Sequence, residues 1–103
     1  MLNEVLMLLL NVIYQTKQGQ RETFLSAIEA LGIPEASRAE KGCLAYDYYY
    51  PVQGENTIFL NEIWENADCQ AAHTRAAHFA KLQELKKEYV ESVTLMKYNA
   101  ERL

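Results

Sequence analysis

With 103 residues the chain has room for one hydrophobic core, and residues 1–103 are read as a single domain. Half of the residues are hydrophobic and 23% are charged, which excludes a disordered segment. Ten basic against fourteen acidic side chains leave a net charge of -4, which argues against a nucleic-acid footprint, and no basic patch offsets it.

Cys43 and Cys69 are not spaced as a metal pair and read as unpaired thiols of a reducing compartment. The apolar run Leu6 to Leu10 has no positive region before it, carries Glu4, and meets Asn11 before reaching membrane-spanning length. Neither a leader nor a membrane span is therefore expected, and the cytoplasm is the default location.

The first element predicted is a strand from Glu4 to Thr16, apolar at nearly every position and so buried on both faces. Lys17-Gln18-Gly19 makes a turn, after which Phe24, Leu25, Ile28 and Leu31 recur at helical spacing. Gly32 stops that helix, and Pro34 favours a second helical turn through Ser37 to Glu40. Gly42 opens a strand from Cys43 to Tyr50, which Pro51 closes. A short loop leads into the strand Thr57 to Trp64, making a hairpin. Asn66 is placed to cap a helix beginning near Ala67, which bends or breaks before continuing through Leu82, Leu85 and Tyr89. The last strand runs from Ser92 to Asn99. The order β-α-β-β-α-β predicts an α+β fold, a ferredoxin-like antiparallel sheet backed by helices.

The strands carry apolar residues on both faces. Met7, Leu9 and Ile13 oppose Leu8, Leu10, Val12 and Tyr14; Ile58, Leu60 and Trp64 oppose Phe59 and Ile63; Val93 and Leu95 oppose Met96 and Tyr98. In the second strand Leu44, Tyr46, Tyr48 and Tyr50 are expected on one face. The helices cover one side only, so the other is expected to pack on a second copy, as a homodimer.

Several polar residues sit among these apolar ones. Asn11 is either a satisfied structural amide or a fixed donor able to stabilise an oxyanion. Glu62 and Trp64 share a strand face; Trp64 either seals the core or walls a pocket, and Glu62 is either paired or a base. His73 and His78 are five apart, poor spacing for a metal pair on one regular helix, so no metal site is expected. Each histidine is either a core residue or a pocket acid–base group. Arg75 is either a solvated helix residue or a counter-charge for an anion. Tyr46 and Tyr48 share a face on which a planar ligand could rest.

Three segments carry a resemblance: Gly42-Cys43-Leu44-Ala45-Tyr46, Phe59-Leu60-Asn61-Glu62-Ile63-Trp64, and Ala72-His73 followed by His78-Phe79. With them the chain resembles, over about residues 3 to 98, the antibiotic biosynthesis monooxygenase family of dimeric α/β-barrel proteins. The resemblance implies a homodimer packed sheet to sheet, with a pocket between each sheet and its helices. It also implies oxidation of a quinol, anthrone or other phenolic ring by O₂ without flavin or metal. On that reading Asn11, His73 and His78 are the catalytic candidates, and Tyr46, Tyr48, Glu62 and Trp64 contact the substrate. Relatives that degrade haem carry a histidine where this chain has Gln83, so haem is not expected. Two alternatives stay open. One is an isomerase or other enzyme for a small phosphorylated signalling compound, with its anion near Arg75 or Lys81. The other is a non-catalytic small-molecule-binding dimer.

Overall fold

The computed structural model describes residues 6–103. Glu4 and Val5, the first residues of the expected opening strand, lie outside them. The elements follow in the order β1 (Met7–Thr16), α1 (Arg21–Ala30), α2 (Ile33–Arg38), β2 (Cys43–Tyr49), β3 (Thr57–Trp64), α3 (Ala67–His73), α4 (Ala77–Tyr89) and β4 (Val90–Ala100). The four strands form one antiparallel sheet in the order β2-β3-β1-β4, which is the ferredoxin-like arrangement. The sheet is open at both edges, β2 and β4.

Strand alternation decides which residues meet the helices. In β1, Leu10, Val12, Tyr14 and Thr16 are buried beneath the helices; in β3, Ile58, Leu60, Glu62 and Trp64 are. Phe24 and Ile28 of α1, Ile33 of α2 and Leu82 of α4 complete the core. The Tyr14 and Phe24 rings meet edge to face at 5.6 Å.

The opposite sheet face carries Leu9, Ile13, Phe59, Ile63, Met96 and Tyr98, which no helix covers. One cross-strand row interrupts it, because the register sets Asn11 opposite Asn61 and Asn61 opposite Asp47. The uncovered face is therefore apolar with a polar band, rather than apolar throughout.

One expected face does not form. The register of β2 against β3 slips between Cys43 and Ala45, so Leu44 bulges out and is 49% exposed, while Tyr46 is buried. The fourth strand begins at Val90, directly after α4, two residues before the predicted Ser92. No helix among the described residues is long and apolar enough to cross a membrane.

Candidate active site

Two local features bring the site together. The first is the helix start at Ala67, where the Asn66 side-chain oxygen accepts from the backbone N–H of Cys69 at 2.9 Å, filling one unpaired donor. The second is the break between α3 and α4. The backbone N–H groups of Arg75 and Ala76 donate to the carbonyls of Ala72 and His73, a tight three-residue turn, and Ala76 is then extended. That break overturns the spacing argument against a shared histidine site, which assumed one regular helix. His73 ends α3 and His78 is the second residue of α4, and their ring centroids are 5.6 Å apart.

Between the two rings stands Glu40, from the loop joining α2 to β2. Its Oε2 lies 2.5 Å from His73 Nδ1 and 2.7 Å from His78 Nε2. A carboxylate oxygen only accepts, so the facing nitrogens carry the hydrogens and donate to it. A neutral His73 ring then holds its lone pair on Nε2. His73 is 1% exposed, and the rings of Trp64, Phe79 and Tyr46 pack around it at 4.9, 5.2 and 5.6 Å.

His73 borders a cavity of about 200 Å³ between the sheet and the last two helices. Leu10, Val12, Phe79, Leu82 and Leu95 give it apolar walls. Glu62, Gln70, His73, Lys86 and Lys97 bring polar groups to it. Burial raises the Glu62 carboxyl above its ordinary value, opposed by the Trp64 indole N–H, which donates to Oε1 at 2.9 Å, and by His73. Burial lowers the Lys86 ammonium, and Glu62 works the other way. Among the described residues no carboxylate lies within ion-pairing distance of Lys86. An acid pushed up, a cation pushed down and an oriented imidazole thus share one small, mostly apolar space.

The residues singled out from sequence divide among several places. His73 and Glu62 line the cavity; His78 does not, and is joined to His73 through Glu40. Trp64 is fully buried behind them, holding Glu62 rather than facing the cavity. Tyr46 and Tyr48 bond hydroxyl to hydroxyl at 3.1 Å, and burial pushes the Tyr46 hydroxyl up to about 12. Both stand outside the lining of this cavity. Asn11 is on the uncovered sheet face and does not meet the histidines, because β1 turns its even-numbered residues to the helices. Arg75 and Lys81 are also absent from the lining.

Glu40 and Lys86 were not anticipated. Lys86 follows Phe79 and Leu82 at spacings of three and four, so one helical stripe carries all three to the cavity. Glu40 leaves no such signal, standing alone in a polar loop. A wider depression of about 510 Å³, lined by residues such as Gln18, Arg21 and Glu55, is open and polar and gathers no acid–base set.

Residues 7–85 match the profile of the antibiotic biosynthesis monooxygenase family. The chain belongs to that family. It is 37% identical over 73 residues, 71% of this chain and 75% of the relative, to YcnE of Bacillus subtilis, whose monooxygenase name is itself provisional. A conserved protein of unknown function from Bacteroides thetaiotaomicron is 30% identical, with a TM-score of 0.83 over 94% of this chain and all of that one. A Nitrosomonas europaea protein, provisionally named an antibiotic biosynthesis monooxygenase, superposes with a TM-score of 0.85 at 20% identity. That match covers 97% of this chain and 95% of the other. At that identity the likeness speaks for the fold alone.

Proposed function

We propose that this member of the family is a cofactor-independent monooxygenase that oxidises a small quinol, anthrone or related phenolic ring with O₂. The observation that carries the reading is His73, whose Nδ1 is tied to Glu40 while its ring borders an apolar cavity. That arrangement leaves Nε2 as the proton acceptor for a bound hydroxyl. Removing the proton makes a phenolate or enolate, electron-rich enough to reduce O₂, and the Lys86 ammonium at the cavity wall favours the anion. Atoms balance without an outside reductant. A naphthoquinol loses two hydrogens and gains one oxygen, and the second oxygen leaves as water. Glu62, held protonated over a wider pH range by burial, is placed to return a proton to the reduced oxygen.

O₂ uptake with a panel of reduced naphthoquinols and anthrones, corrected for autoxidation, tests this. The rate should rise with protein concentration and fall by roughly 10²–10⁴-fold in His73→Ala, the usual contribution of a general base. Uptake equal to the protein-free rate across the panel, or unchanged in His73→Ala, would overturn it. We further propose that the uncovered sheet face joins two copies in a homodimer, since a broad apolar face rarely stays wet.

A further inference from the structure

The Glu40, His73 and His78 cluster offers more than a hydrogen-bonded base. Three donor atoms from three separate segments converge, all within 4.8 Å of one another. Two imidazole nitrogens and one carboxylate oxygen are a donor set suited to zinc, cobalt, nickel and iron rather than calcium or magnesium. A tetrahedral metal bonded at about 2.0–2.1 Å holds neighbouring donors about 3.3 Å apart. The spacings from Glu40 Oε2 are 2.5 and 2.7 Å, and the two imidazole nitrogens lie within 4.8 Å of each other, so an ion enters when Glu40 swings out and the rings adjust to that common spacing. Glu40 has room for it, with 16% of its side chain exposed, and His78 is exposed to a similar 17%, which provides the way in.

We propose that Glu40, His73 and His78 form a site for one divalent transition-metal ion of the zinc and cobalt class. The site stands behind the cavity, since neither Glu40 nor His78 lines it. An ion there would touch a cavity ligand only through the His73 ring. Bonded at Nδ1, a neutral His73 carries its hydrogen on Nε2, and the lone pair that the proposed proton transfer uses is gone. Metal binding and proton acceptance by His73 therefore exclude each other. Zinc is an inhibitor of this protein rather than its cofactor, a consequence that rests on the function proposed above; the site itself does not.

Metal-free protein titrated with Co²⁺ and followed by visible absorption tests the site without reference to activity. The expected result is a ligand-field band saturating at one ion per chain and displaced by Zn²⁺. In Glu40→Gln and His78→Ala, both checked for native far-UV circular dichroism, binding should weaken by roughly a hundredfold or more. His78 is partly exposed, so its replacement spares the core. Absence of saturable binding, or binding unchanged in both variants, would overturn the proposal; the latter would point to the free thiols Cys43 and Cys69 instead. Where a quinol supports O₂ uptake, stoichiometric Zn²⁺ should suppress it. If none does, the Co²⁺ titration still decides the site.

Discussion

At the residue scale, Glu62 shows how packing sets chemistry. Its carboxyl is buried between Trp64 and the cavity, and its folded value is raised. A group raised in the fold contributes stability fully present below its unfolded value of 4.5 and lost as pH rises through the folded one. Glu62→Gln keeps an acceptor for the Trp64 indole and removes the titration. The variant should therefore gain stability over wild type at pH 7 and not at pH 4, measured by urea denaturation at both. An equal difference at the two pH values would contradict the assignment of the raised group to Glu62. The residue types of the site were legible in the sequence: Glu62, Trp64, His73 and His78 all stand in or beside it. Their partner Glu40 was not, because a contact between positions 33 and 38 residues apart leaves no local pattern. Whether Asn11 meets the helix-covered cavity was not legible for a related reason. With both faces of β1 apolar, nothing in the sequence says which face the helices will choose.

At the element scale, the loop that delivers Glu40 depends on Gly42. Its φ is +80°, where L side chains are strained, and an added Cβ would run into the Cys69 side chain on α3. Gly42→Ala should destabilise the fold by about 1–3 kcal/mol, read as a lower denaturation midpoint. It should also slow any His73-dependent turnover, since the adjoining loop carries the carboxylate. The element order was readable throughout, from the Gly32 stop, the Asn66 cap and the Pro51 boundary. The bulge at Leu44 was not, because a register slip depends on the partner strand. The α3–α4 break was legible too, and it is what lets two rings five residues apart meet, which one regular helix would not.

At the scale of the whole molecule, the chain is a thin plate, 53 × 30 × 18 Å, one sheet and one helical layer deep. Stacked sheets pack about 10 Å apart, so a second copy set against the uncovered face would give it a second core. Phe59 lies on that face beside Tyr49, with ring centroids 6.2 Å apart. Phe59→Asp should convert the expected dimer to a monomer by size-exclusion chromatography with light scattering. Wild type eluting as a monomer at micromolar concentration would remove the basis for that expectation.

The bond from Glu40 to the two histidines joins the first β-α unit to the second, and neither unit owns the complete set. The carboxylate comes from before the β2–β3 hairpin and both imidazoles from after it. A nascent or partly folded chain thus holds a lone acid and two unaligned rings, with no oriented base among them. The complete set exists only where both units are folded and paired. On the function proposed above, no phenol would meet an oriented base before the cavity that encloses it exists.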